Sequence, residues 1–137
     1  MELQTWIERL TAVCDTARYL HGLNVVDLSF ESGIAWEVYW ALDDNERSRG
    51  LADLALEHLD ADGMLFYYPG GSYVPFSAAK MQFPLHMAWY DDQGAPVHGH
   101  MAAAGALSPI CCPRRFTWVL ESPHPIPPGS LKVRHGA

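Results

Sequence analysis

Basic residues are scarce in this chain. Nine Lys and Arg stand against 16 Asp and Glu, for a formal net charge of -7. Phosphate recognition needs clustered cations, so broad binding to nucleic acid or to an anionic membrane is excluded. Cysteine is scarce and odd in number: Cys14, Cys111 and Cys112 cannot all pair within one chain, and no C-x-x-C spacing occurs. Free thiols are therefore expected, not a zinc or disulfide framework. Long apolar runs are missing too. No stretch approaches the roughly 20 residues of a membrane-spanning helix. The N-terminus sets Glu2, Glu8 and Arg9 where a secretion signal needs a basic start and an unbroken apolar run. No signal peptide is expected, and the cytoplasm, or a larger assembly that carries the protein, is the expected location. Also absent are a G-x-S-x-G elbow, a phosphate-binding loop, a dinucleotide fingerprint and any internal repeat.

What remains is a packed globular chain. Hydrophobic residues make up 49% and charged residues 18% of 137 positions, enough for one domain with its own core. Leu3, Trp6, Ile7, Leu10, Val13, Cys14, Ala17 and Leu20 recur at spacings of three and four, which predicts an amphipathic helix ending at His21-Gly22. Its apolar stripe either packs on the domain or docks on another subunit, with Trp6, Ile7, Leu10 and Val13 as the contact residues.

Beyond Gly22 the period changes to two. "NVVDLSF" and "IAWEVYWAL" flank Glu31-Ser32-Gly33 and predict a hairpin with a heavily aromatic face. Asp43 or Asp44 can cap a helix, with Glu46 at capping-box distance from Asp43, and the pattern continues to about Leu59. Gly63–Tyr68 reads as a buried strand and Pro69–Ser72 as a turn. The segment "VPFSAAKMQF" is ambiguous. Leu85–Tyr90 and Pro96–Met101 predict a second hairpin about the Asp91–Gly94 turn. Residues 102–115 read as loop and Phe116–Glu121 as a strand. The prolines from Pro123 to Pro128 force an extended connection to a last short strand at 129–133.

The order of blocks "ERSRGL", "GMLFYYP", "PLHMAWYDDQG", "RFTWVLESP" and "GSLKV" resembles the family called domain of unknown function 192. That family's pattern has E-R-x-x-G-L-M, G-M-L-F, F-W-M-K-N-x-x-x-P-L-D-I with a D-x-x-G turn, and Y-V-L-E. The resemblance covers about Asn24 to Val133. It implies a compact, antiparallel β-barrel-like sheet crossed by one short helix. The expected fold class is thus α+β: an N-terminal helical extension over 1–21, then a barrel-like domain over 22–137 with one internal helix. The chain departs from the pattern in three places. Ala52 replaces the methionine after G-L, Ser77-Ala78-Ala79-Lys80 replaces W-M-K-N, and His86 replaces the aspartate of P-L-D.

Candidate chemistry is sparse. Glu46, Arg47 and Arg49 at a helix start can bind an anion or pin the helix to the sheet. With Phe76, Lys80 and His86 they outline a ligand cleft between the helix start and residues 76–86. His86, His98 and His100 are weak metal-ligand candidates, since His98 and His100 share one strand face. Cys111 sits near Arg114 and Arg115, but an idle thiol is the simpler reading. Trp36, Trp40, Trp89, Trp118 and Tyr39 are for the most part best read as core filling, and any that face outward would form a platform for a sugar, a peptide or a protein neighbour.

The leading expectation is a non-enzymatic binding or assembly protein that contacts a partner protein or copies of itself. One version is a structural subunit of a larger particle such as a virion. The alternative is a small-molecule binder for a sugar, anion or metal, or a cryptic hydrolase, using the 46–50 and 76–86 cleft. No cofactor is called for.

Overall fold

The computed structural model describes residues 18–20, 23–41, 51 and 59–132. Within them seven strands form one sheet: β1 (Arg18–Leu20), β2 (Leu23–Ser29), β3 (Ala35–Ala41), β4 (Gly63–Ser72), β5 (Leu85–Tyr90), β6 (Pro96–Ala102) and β7 (Phe116–Ser122). Their spatial order is β1-β2-β3-β4-β7-β5-β6.

The two expected hairpins are present. Phe30 N–H donates to Ile34 O across the β2–β3 turn, and Gly33 takes a φ of 95° there. In the β5–β6 turn the Asp91 carboxylate accepts from Gln93 N–H and Ala95 N–H, both at 2.9 Å. Gly94, with φ 83°, donates to Asp91 O. Aspartate at the head of a turn and glycine at its left-handed position are what such a turn demands.

The expected fold class needs correction on three counts. First, the sheet is mixed: β3 and β4 pair in parallel, Val38 against Gly63 through Ala41 against Phe66. A parallel pair needs a crossover, and residues 42–62 supply it. Second, no helix occurs among the described residues, and Arg18–Leu20, expected to end the N-terminal helix, pairs as a strand with β2. The rest of that helix and nearly all of the internal helix lie outside the described residues. Third, the sheet is an open ladder with β1 and β6 at its edges. The turn expected at 69–72 is also revised. β4 continues to Ser72, with a register shift against β7 after Tyr67 and left-handed Gly70 and Gly71 at the irregularity.

Both faces of the sheet are covered. The tail crosses one of them, here called the inner face. Glu31 N–H donates to Ser130 O, Lys132 N–H to Ser29 O and Leu131 N–H to Gly94 O. One short segment thus ties the end of β2 to the β5–β6 turn, which draws the sheet into a curl around Leu28, Val38, Trp40, Leu65, Trp118 and Leu120. The outer face carries Tyr39, Met64, Phe66, Met87, Trp89 and Val119, with Phe83, Ile110 and Phe116 packed over them. The loops that cover it are joined by a two-way backbone bridge between Phe76 and Ile110. Every residue of β7 is buried, and beyond Phe116 its side chains alternate between two cores, Trp118 and Leu120 in one and Val119 in the other.

Candidate functional site: an open groove beside β5 and β6

Strand pairing decides which side chains can meet. In the β5–β6 ladder His86 lies opposite Met101, Ala88 opposite Gly99, Met87 opposite His100 and Trp89 opposite His98. Directly opposed residues share a face. His98 and His100 therefore lie on the outer side with Trp89 and Met87, and the His98 ring sits 5.3 Å from the Trp89 ring. His86 faces inward. The register thus separates the three imidazoles, and no group of three His, Cys, Asp or Glu suited to a metal occurs among the described residues.

The inner side of this hairpin holds an open groove of about 620 Å³. Its floor is β5 and β6, and its far wall is Pro125–Gly129. The groove exists because the central cross-strand pair is Ala88 with Gly99, which leaves no bulk between the hairpin and the prolyl wall. A Cβ built on Gly99 would meet nothing nearer than Met87 O at 3.8 Å. At one end stand His86, half-buried, and Met101, 62% exposed. Ile126 packs from the wall onto the inner core. At the floor's other end Tyr90 is fully buried, and burial pushes its phenol well above the usual range.

The hydroxyl nearest His86 in the register is Ser122 on β7. Its Oγ donates to Asp62 O at 2.6 Å and accepts from His124 N–H at 2.9 Å. Both capacities are engaged in structure, so Ser122 is not poised as a nucleophile for His86 to activate.

The other candidates disperse. Phe76 is on the outer side, an aromatic hub 5.9 Å from Phe66, 6.0 Å from Phe116 and 6.1 Å from both Tyr68 and Trp89. It stands across the sheet from His86, so the two do not share a cleft. Lys80 is exposed on a turn. Glu46, Arg47 and Arg49 lie outside the described residues, as do Trp6, Ile7, Leu10 and Val13. Trp40, Trp89 and Trp118 are core, as expected. Cys111 is exposed and Cys112 buried, both as free thiols.

One group escaped the sequence reading. Glu121 is 4% exposed, on the outer face between Met64 of β4 and Met87 of β5. Its carboxyl accepts a hydrogen bond from Leu51 N–H. Burial outweighs that bond and pushes its pKa up to about 8. The signal was available: a single acid continuing the alternation of an otherwise apolar run, two residues after Val119.

Comparisons with known proteins bear on the fold. The chain is similar to a protein of unknown function from Novosphingobium aromaticivorans DSM 12444, at 19% identity and TM-score 0.59, over 82% of this chain and 84% of that one. It is also similar to a provisionally named transcription regulator from Sinorhizobium meliloti 1021, at 25% identity and TM-score 0.54, over 72% of this chain and 78% of that one. No curated protein matches. The model of the DUF192 family, described as an uncharacterized ACR, matches residues 28–126. With that span matched, and with the G-M-L-F, P-L-x and V-L-E blocks on β4, β5 and β7 of one sheet, the chain belongs to the DUF192 family.

Proposed function

We propose that this protein is a non-enzymatic binding domain whose site is the groove between the β5–β6 hairpin and the prolyl segment 125–129. The groove itself carries this reading. Its volume falls among those of small-molecule sites, and it combines an apolar floor and wall with the one lining imidazole that the register turns inward, His86. A rigid floor of paired strands also suits binding better than a mobile loop would. Ser122 is engaged elsewhere, which favours binding over hydrolysis. The transcription-regulator name of the Sinorhizobium relative is not adopted. A net charge of -7 gives no footprint for DNA phosphates.

The test is a fragment screen read by 1H–15N spectra of the full chain. Amide shifts should cluster on β5, β6 and residues 125–129. Gly99→Val, which places a side chain in the groove, should remove them while the rest of the spectrum is kept. Shifts scattered over the surface and unchanged by Gly99→Val would refute a groove site.

Assembly is the second reading, and exposed apolar side chains favour it: Tyr73 is 66% exposed, Leu107 87% and Ile34 46%. No helix among the described residues is long and apolar enough to cross a membrane, so these are not read as lipid anchors on helices. Sedimentation velocity distinguishes the readings. A subunit of an assembly should sediment as an oligomer that Tyr73→Ser with Leu107→Ser dissociates, whereas a groove binder is indifferent to that pair.

A further inference from the structure

The groove lacks the acidic groups that dominate the chain. The protein holds 16 acids against nine Lys and Arg, yet none of the residues lining the groove is Asp or Glu. His86, His98 and His100 all line it, and of these the register turns only the His86 ring inward, at the open end. Around that ring the neighbouring strands present Met101 on β6 and Ser122 on β7, neither of them charged. The acid next to Ser122, Glu121, faces the outer core. Asp62, whose carbonyl holds Ser122, has its own carboxylate on Glu37 N–H at 2.9 Å. His124 follows on the exposed connection. No described carboxylate is therefore placed to compete for the His86 imidazole.

The departure from the family pattern falls at this position. Where the P-L-D block has an aspartate, this chain has His86. An aspartate offers acceptors only, so it suits a ligand's ammonium or N–H group. An imidazole offers an N–H donor, and two donors when protonated. We propose that His86 makes the groove of this chain selective for a ligand with an apolar body and a carboxylate or other oxyanion. The apolar body lies over Ala88 and Gly99 against Ile126, and the oxyanion meets the His86 N–H at the mouth. This rests on the groove being the binding site, and it names the class of ligand that the groove takes.

The test uses matched probes on the full chain, benzoate and hexanoate against benzylamine and hexylamine, titrated by 1H–15N chemical shifts. The carboxylates should move the amides of Ala88, Gly99 and Ile126, at least about tenfold more tightly than the amines, as a hydrogen bond to a charged group implies. His86→Asp should reverse that order. His86→Gln, which keeps an N–H donor, should retain carboxylate preference. His86→Leu should erase the discrimination and keep weak binding of both classes, and it serves if the aspartate variant does not fold. Amines that match the carboxylates in the wild type, with shifts that Gly99→Val removes, would overturn the selectivity and leave the groove standing. Probes that move no groove amide, or shifts that survive Gly99→Val, would overturn the groove and this inference together.

Discussion

A single buried carboxyl gives this protein its most testable residue. Glu121 accepts Leu51 N–H in a site almost closed to water, and its pKa rises to about 8 against 4.5 for the free group. The folded state therefore holds a proton that the unfolded chain releases in the window between those values. Folded protein then binds more protons, so stability is fully present below the unfolded value and is lost as pH rises through the folded one. The ceiling on that slope is about 1.4 kcal/mol per pH unit for one group. Glu121→Gln keeps an acceptor for Leu51 N–H and cannot ionise. It is expected to unfold in urea at a midpoint that falls less from about pH 5 to about pH 8 than the wild type's, with the variant the more stable at the upper end. Parallel curves for the two proteins would contradict the buried carboxyl. Gly63, on the strand beside it, is the residue whose absence of a side chain is decisive. A Cβ there would collide with the backbone carbonyl oxygen of Glu121. Gly63→Ala should cost about 1–3 kcal/mol, the range for overpacking against a backbone that has little room to shift, measured by chemical denaturation. The glycine before the apolar strand was visible in sequence. Its partner was not.

At the scale of elements, the parallel β3–β4 pair is the part of the fold that local signals mispredicted. Its entry is fixed by a reciprocal contact. Asp62 N–H donates to Glu37 O at 2.7 Å, and the Asp62 carboxylate accepts Glu37 N–H at 2.9 Å. The Tyr39 hydroxyl also accepts from Asp60 N–H at 3.1 Å. These bonds hold the returning chain beside β3 at the point where Gly63 begins β4. Asp62→Ala should speed hydrogen exchange of the Glu37 amide and lower stability by about 1 kcal/mol, the usual net value of one hydrogen bond. Asp62→Asn, which keeps an acceptor oxygen, should restore most of the protection. Exchange at Glu37 that is unchanged in both variants would remove the contact from the account. Hairpins β2–β3 and β5–β6 were legible because a glycine marks each turn, Gly33 and Gly94, with Asp91 heading the second. The crossover was not, since a capping pattern after β3 says nothing of which strand the chain rejoins.

Across the whole molecule, one sheet serves two cores. Val119 and Leu120 are adjacent in β7, both 0% exposed, and they point to opposite faces. Truncating either should be costly: Val119→Ala by about 1–3 kcal/mol and Leu120→Ala by about 2–5 kcal/mol, with one cooperative unfolding transition in each case. A one-sided sheet would make one of the two nearly neutral. Coverage on both faces also explains why Trp40, Trp89 and Trp118 are filling, as expected, and why the ends of one segment of the expected ligand cleft are parted. That cleft ran between residues 46–50, which lie outside the described residues, and the 76–86 segment, whose Phe76 and His86 stand on opposite faces of the sheet. The groove that did form depends on Ala88 meeting Gly99 across β5 and β6. Two small residues eleven positions apart give no signal until the strands are in register.

The sequence by itself determined the family, the strand-rich composition, both hairpins and the burial of Trp40, Trp89 and Trp118, because alternation, turn chemistry and ordered motif blocks are local properties. Tertiary structure alone decided that β4 joins β3 in parallel, that His86 turns away from His98 and His100, and that Glu121 loses its water. Each of these depends on which strand lies beside which, a contact between residues far apart in the chain that no local pattern encodes.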